Sequence, residues 1–208
     1  MTSPTPIVHV VDDDDSFRTA LTRVLRAAGY EVRSHASAGE FLLALPVNTP
    51  GCIVLDVRMP GPSGLDLQEA FARRTDALPI IFLTGHGDIP MTVRAMKAGA
   101  VDFLPKPVQR EALLNAVRNA LERDRKNRRA REQNDILRAL LETLTPREHA
   151  VFTLVAAGKA NKEIAAELGT SERTVKAHRA QVMAKMQATS LAELVHIADR
   201  LQAHVQAT

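Results

Sequence analysis

The sequence predicts an α/β chain in two parts: a doubly wound, five-stranded parallel sheet of order 2-1-3-4-5, followed by a small all-α domain. Three observations carry this. Between residues 7 and 104, five short β-rich runs alternate with amphipathic helical patterns. Between Val108 and Thr145 there is neither Gly nor Pro. Beyond Thr145, helix-start and helix-stop residues recur with no strand-like run among them.

The runs are "IVHVV" (7–11), "EVRSH" (31–35), "CIVL" (52–55), "PIIFL" (79–83) and "VDFL" (101–104). Three are almost wholly apolar, as central parallel strands covered on both faces must be. Between them lie helical spacings: Phe17, Leu21, Val24 and Leu25; Phe41, Leu42 and Leu45; Leu65, Leu67 and Phe71; Met91, Val93 and Met96. Five βα units of this kind build a doubly wound sheet, whose ligands bind outside the carboxyl ends of the strands. A long helix then starts near Gln109 on Leu113, Leu114, Val117 and Leu121. It crosses the charged stretch "RDRKNRRARE", regains an apolar face at Ile136, Leu137, Leu140 and Leu141, and ends near Leu144. Such a helix of ~35 residues is about 50 Å long.

The last segment is punctuated helix by helix. "TPRE" (145–148) is a capping box with Pro at the first helical position, leading to Val151, Leu154 and Val155 and closed by Gly158. Asn161 is the expected cap of a short helix through Ile164, Ala165 and Leu168 that stops at Gly169. Ser171 is the expected cap of a third helix carrying Val175, Val182 and Met186, and "SLAE" (190–193) is a further capping box. Two short helices about a tight Gly turn, the second rich in basic residues, make a helix-turn-helix. The expected domains are therefore 1–122, a helical charged linker 123–143, and 144–208.

Composition narrows the function classes. With 208 residues, 45% hydrophobic and 25% charged, the chain can bury a real core. Its one cysteine, Cys52, stands in an apolar run, which excludes an internal disulfide framework and points to core packing in a reducing compartment. No signal peptide and no 18-residue apolar stretch is present, so the expectation is a cytoplasmic chain with no membrane partner. Residues 1–122 hold 12 Lys+Arg against 14 Asp+Glu, whereas 123–143 hold 7 against 4 and 144–208 hold 8 against 6. The basic surplus behind the midpoint suits an anionic partner there, although ordinary surface would also accommodate it.

"VVDDDDSF" (10–17) sets four aspartates directly behind the first strand. A solvated turn with a helix cap would explain most acidic runs. The strand rule adds more. Asp12 and Asp13 end the first strand, Asp56 the third and Thr84 the fourth, and Lys106 follows the fifth, so all five converge on one edge. Clustered carboxylates raise one another's pKa unless a cation is bound, and hard oxygen ligands suit Mg²⁺. A carboxylate beside Mg²⁺ can attack a phosphoryl group. Asp56, alone and central, is the best nucleophile. Asp12 and Asp13 would hold the metal, the backbone carbonyl of Arg58 could complete its coordination, and Thr84 and Lys106 would bond the phosphoryl oxygens. Asp15 is the expected cap of the following helix, with Asp14 at the rim of the site.

The segments "VVDDDD", "LDVRMPGPSGLDL", "IFLTGHGDIPMTVRAMKAGAVDFLPKP" and "LTPREHAVFTLVAAGKANKEIAAELGTSERTVKAHRAQVMAKM" together resemble a two-component response regulator of the FixJ/NarL type. In that family a flavodoxin-like receiver domain is joined to a LuxR-type helix-turn-helix. The resemblance spans the chain apart from the linker and the extreme C-terminus. It implies a transcriptional regulator rather than an enzyme. Asp56 would accept phosphate from a sensor histidine kinase in a Mg²⁺-dependent reaction, Thr84 would move toward the phosphoryl group, and Phe103 would turn inward. It also implies a homodimer formed after phosphorylation through residues 91–103, with promoter DNA, and RNA polymerase beside it, as partners. A sheet-core role for Phe103 is compatible with one of its two states.

In "SERTVKAHRAQVMAKM" an inward face (Val175, Val182, Met186) alternates with an outward one. Lys176, Ala177 and Ala180 match the base-facing positions of related recognition helices, with Arg179 alongside. Lys162, Thr174 and Lys185 suit phosphate contacts, which position without specifying sequence. Three alternatives stand beside this reading. A haloacid-dehalogenase-type phosphatase would use Asp12 as nucleophile but needs a further acidic strand end after the lysine, where this chain reads as helix throughout. A receiver that is never phosphorylated could serve as a fixed dimerisation module. The C-terminal domain could instead contact protein. Phosphorylation would act either by freeing the helix-turn-helix or by pairing two chains on a repeated half-site, and the stiff linker favours pairing.

Overall fold

The computed structural model describes residues 4–44, 49–72, 74, 76–85 and 89–205, with the side chains of 72 and 202–205 excepted. The predicted helical position Leu45 lies outside them. The chain divides into two compact units, residues 1–128 and 129–208.

In the first unit five strands, β1 (Ile7–Val11), β2 (Glu31–His35), β3 (Gly51–Asp56), β4 (Ile80–Thr84) and β5 (Asp102–Pro105), form one sheet of order β2-β1-β3-β4-β5. All four pairings are parallel. Helices α1 (Asp15–Ala27), α2 (Ala38–Ala44), α3 (Gly64–Ala72) and α4 (Ile89–Lys97) link the strands, and α5 (Arg110–Glu142) follows β5. Every residue of β1, β3 and β4 is buried, which explains their unbroken apolar runs. Alternate residues of these strands feed two cores. Val8, Val10, Cys52, Val54, Ile81 and Leu83 pack with Leu21 and Leu25 of α1 and with Leu113 and Val117 of α5. Val11, Ile53, Leu55 and Phe82 pack on the other face with Phe41, Leu67, Phe71 and Ala95. Cys52 is fully buried, and burial pushes its thiol pKa up, as suits a core residue.

Helix α5 is a single element of 33 residues, with Arg110–Arg128 in the first unit and the rest in the second. Its sheet-facing stripe of Leu113, Ala116, Val117 and Ala120 continues to Asp124, which is 2% exposed. The Asp124 carboxylate accepts the Gly51 N–H at 3.0 Å and the Arg128 Nε–H at 2.8 Å, and Arg128 also donates to the Thr49 carbonyl. The opening of the charged stretch is thereby fixed to the start of β3.

The second unit holds the end of α5 with α6 (Pro146–Ala156), α7 (Asn161–Leu168), α8 (Glu172–Lys185) and α9 (Leu191–Val205), packed about Val151, Val155, Ile164, Val175, Val182, Met186 and Leu194. Thr145 and Glu148 form the expected capping box. Ser171 caps α8 through the Thr174 N–H, and Gly169 ends α7 in the left-handed conformation at φ 62°. Three caps differ from expectation. Ala160, not Asn161, is the N-cap of α7; its N–H goes to Glu163, and the Asn161 side chain is taken by Arg179 instead. Asp14, not Asp15, caps α1, accepting the Phe17 N–H at 3.0 Å, because Asp15 is already the first helical residue and pairs with Arg18. At α9 the Ser190 hydroxyl accepts the Glu193 N–H, but Glu193 reaches back to Thr189.

His9 and His35 face each other across β1 and β2, buried, with one ring nitrogen of each at 3.1 Å and Phe41 edge-on to both. The other His9 ring nitrogen, Nε2, is buried without a hydrogen bond. Burial first, then His35 and Arg33, lowers the His9 pKa to about 4, and burial also lowers that of His35. Between pH 6.5 and about 4 the unfolded chain binds the His9 proton more readily than the folded one, so this group's contribution favours folding fully above 6.5 and is lost as pH falls. His9→Leu, which fills the apolar site, should lose less stability than the parent chain between pH 7 and pH 4.5. Urea midpoints at the two pH values measure it, and equal losses would remove His9 from the account.

Candidate functional site at the strand ends

Strand register builds the site. Val11 lies opposite Leu55, so the next residues, Asp12 and Asp56, leave neighbouring strands side by side. Asp56 is level with Leu83, which places Thr84 one step further. Thr84 is level with Pro105, and the Lys106 N–H donates to the Thr84 carbonyl at 2.7 Å. The chain after Lys106 turns into α5 through a cis Lys106–Pro107 bond.

Asp12, Asp13 and Asp56 each offer a carboxylate oxygen, and these oxygens lie within 4.8 Å of one another. Asp12 and Asp56 are buried and Asp13 is exposed. The Lys106 ammonium bridges the buried pair, donating to Asp12 Oδ2 at 2.6 Å and to Asp56 Oδ2 at 2.9 Å. Burial raises the Asp12 pKa and is only partly opposed by the Lys106 bond. For Lys106, burial works toward a lower pKa but is outweighed by its bonds to Asp12 and Asp56, so its pKa rises. Three carboxylates with hard oxygen donors, one of them open to solvent, fit Mg²⁺ by number and chemistry.

The surrounding residues hold these groups in place. The Asp14 N–H donates to Asp12 Oδ1 at 3.0 Å, and the Arg18 guanidinium donates to the Asp12 carbonyl at 2.7 Å. The Arg58 N–H lies 3.3 Å from Asp56 Oδ1, which sets the Arg58 backbone beside the site. The Phe17 ring sits 4.4 Å from the Lys106 ammonium, a distance that allows a cation–π contact. Thr84 is buried at the end of β4. Phe103 is half-buried, packed on the second core with its ring 6.0 Å from that of Phe82. Sequence reasoning placed Phe17 in the core only and passed over Arg18. A phenylalanine at a helical apolar spacing gives no sign of a cation over its face.

In the second unit Val175, Val182 and Met186 are buried, while Lys162, Thr174, Lys176, Ala177 and Ala180 are exposed. Arg179 is half-buried, donating to Asn161 Oδ1 at 2.7 Å. Lys185 bonds the Glu148 carboxylate at 2.6 Å and the Thr143 carbonyl at 3.0 Å. That ammonium, followed by the Thr145 N–H, holds the Glu148 carboxyl well below the usual carboxylate range, at about 2.

The structure thus pairs a doubly wound module that carries an acidic cluster at its strand ends with an all-α module in which α7 and α8 meet about Gly169. Residues 8–118 match the response regulator receiver domain, and residues 142–198 match the LuxR family of bacterial regulatory proteins. The chain belongs to the response regulators that join these two domains, as transcriptional regulators of the FixJ and NodW type. It is 55% identical to Nodulation protein W of Bradyrhizobium diazoefficiens over 94% of this chain and 86% of that one. Transcriptional regulatory protein FixJ of Azorhizobium caulinodans is 46% identical, over 92% of this chain and 90% of that one. The solved structure of the response regulator StyR is 50% identical with a TM-score of 0.78, covering 94% of this chain and 99% of that chain. A receiver and a DNA-binding domain in one chain imply a kinase and DNA as partners. No described helix is long and apolar enough to cross a membrane.

Gly64 opens α3 directly beneath Asp56. A Cβ there would lie 2.4 Å from the Asp56 carbonyl and 3.1 Å from Leu55 and Phe82. Gly64→Ala should therefore push on the backbone that carries Asp56 and destabilise the first unit by about 1–3 kcal/mol. A urea midpoint unchanged from the parent chain would show that α3 shifts without cost.

Proposed function

We propose that Asp56 is the phosphoacceptor of this chain and that its phosphorylation by a sensor histidine kinase controls promoter binding by α7 and α8. The observation that carries the reading is the convergence of Asp12, Asp56 and Lys106, with the ammonium bridging the two carboxylates at 2.6 and 2.9 Å. In transfer, an Asp56 carboxylate oxygen bonds to phosphorus as the bond from phosphorus to the kinase imidazole nitrogen breaks. Lys106 releases Asp56 and follows the new equatorial oxygens, keeping its bond to Asp12, and the Thr84 hydroxyl donates to another. Mg²⁺, held by Asp12, Asp13, Asp56 and the Arg58 carbonyl, would neutralise charge on the phosphoryl oxygens.

Phosphorylation adds close to two negative charges and several acceptors at the end of β3. Movement of Thr84 toward them vacates the space into which Phe103 turns from its half-buried position on Phe82. This remodels β5 and α4, where Ile89, Val93 and Met96 are exposed apolar side chains. That face suits a second copy of the chain, so that two recognition helices meet a repeated half-site. On DNA, Lys176, Ala177 and Ala180 face the bases, while Lys162 and Thr174 contact phosphates. Lys185 has three donors, two of them used in the free chain, and its third would reach a phosphate. The protein acts in the cytoplasm, domains 1–122 and 144–208 flanking the helical linker 123–143, with RNA polymerase as the machinery it meets at a promoter.

Intact mass after incubation with acetyl phosphate, with and without Mg²⁺, tests the acceptor. The expected result is one metal-dependent phosphate, mapped to Asp56 and absent from Asp56→Asn. Asp56→Asn should also unfold normally yet fail to activate a reporter promoter. Phosphate on Asp12 would favour a phosphatase-like chemistry, and full activation by Asp56→Asn would leave the receiver as a fixed module.

A further inference from the structure

Arg179 stands apart from the exposed row of α8. Lys176, Ala177 and Ala180 are exposed, but Arg179 is half-buried and lies back against α7, where its Nη1 donates to the side chain of Asn161 at 2.7 Å. Asn161 is the first residue of α7 and is itself half-buried. With Ala160 as the cap, the Asn161 amide is not spent on the helix terminus and serves Arg179 instead. A guanidinium carries five N–H donors in a rigid fork, so the bond from Nη1 tethers it beside α7 while the Nε–Nη2 edge can still engage an oxyanion through two parallel bonds.

Which part of DNA that edge meets follows from the motif's docking. The second helix of a helix-turn-helix lies in the major groove, and the first crosses the phosphate backbone. A guanidinium tied to the first residue of α7 is held on the backbone side, away from the exposed row that faces the bases. We infer that Asn161 is a positioning residue that holds Arg179 on a DNA backbone phosphate, so that Arg179 supplies affinity and register rather than base readout. The inference rests on the reading of α7 and α8 as the DNA-binding element. It moves Arg179 from the base-facing group to the phosphate-facing one.

The test uses the full chain, phosphorylated with acetyl phosphate and Mg²⁺, and two probes. One is the duplex selected by the parent protein from a random 30-base-pair pool; the other is a scrambled duplex of equal composition. Arg179→Ala should weaken binding to both duplexes alike, on the order of tenfold. It should lower the salt slope by about one, as loss of a single phosphate contact does. Arg179→Gln, which keeps a donor for Asn161 but removes the charge, should lower the slope equally and covers the case in which the alanine variant folds poorly. Asn161→Ala should weaken both duplexes by a smaller factor in the parent background and have no effect in the Arg179→Ala background, an absence of effect that a purely structural role would not give. Thermal unfolding of each variant accompanies the titrations.

Loss confined to the selected duplex, with the slope unchanged, would make Arg179 a base reader and overturn the inference. An Asn161→Ala effect that persists without Arg179 would overturn the positioning role. Lys176→Ala serves as the control for the underlying reading: if it matches the parent on both duplexes while the parent fails to distinguish them, DNA recognition by α8 falls and the inference falls with it.

Discussion

The organising constraint of the first unit is electrostatic: a parallel sheet brings Asp12 and Asp56 together at the ends of neighbouring strands, where two buried carboxylates repel strongly unless a cation stands between them. Lys106 is that cation, reaching both at hydrogen-bond distance. The sheet order makes this unavoidable. Strands β1 and β3 are central and adjacent, which sets Asp12 beside Asp56; β4 and β5 follow on the same side, with Thr84 one step beyond Asp56 and Lys106 one step beyond Thr84. A site balanced by one movable ammonium is also one that a new anion can reorganise, since the lysine can change acceptors without leaving its place.

The four consecutive aspartates illustrate how one short acidic run serves several physical ends. Asp12 is buried and bridged. Asp13 is exposed beside the cluster and adds a third oxygen donor. Asp14 satisfies an orphan N–H of α1, and Asp15 sits in the first helical turn, where its charge suits the helix dipole and pairs with Arg18. Arg18 in turn donates to the Asp12 carbonyl, so the helix that the run starts also steadies the strand end that the run finishes. The four like charges coexist because Asp12 and Asp13 face the site, where Lys106 holds Asp12, while Asp14 and Asp15 are taken up at the start of α1.

Much of this was legible in the sequence because it depends on period and order. Apolar runs without alternation read as central strands, and Gly, Pro and capping residues marked the helices of the second unit; strand-end residues follow from sheet topology without knowledge of any contact. Pairings between distant residues carry no such signature. Asp124 looked like one charge among many in a linker, yet it is buried on the same stripe as Leu113 and Val117 and holds the Gly51 N–H. His9 and His35 sit 26 residues apart in separate strands and meet only through register. The cap positions at α1 and α7 each slipped by one residue because several residues at each helix start, Asp14 and Asp15 in one and Ala160 and Asn161 in the other, are compatible with the same local pattern, and only the backbone angles decide between them.

The second unit shows the same logic with the roles of charge and scaffold exchanged. Glu148 completes the capping box of α6 by accepting the Thr145 N–H, and the same carboxylate binds Lys185 at the end of α8. One acidic residue thus terminates a helix start and fixes the far end of the recognition helix. Asn161 with Arg179 does the equivalent nearer the middle of α8, tying it to α7. Val175 and Val182, with Met186 just past the last turn, bury one face of α8 in the core of the second unit, which sets both its depth and the face it turns outward. Hydrogen bonds are directional, and these two at different heights add to that definition. The exposed row formed by Lys176, Ala177 and Ala180 is thereby presented at a defined angle, set by packing on one side of the helix and by directional bonds along it.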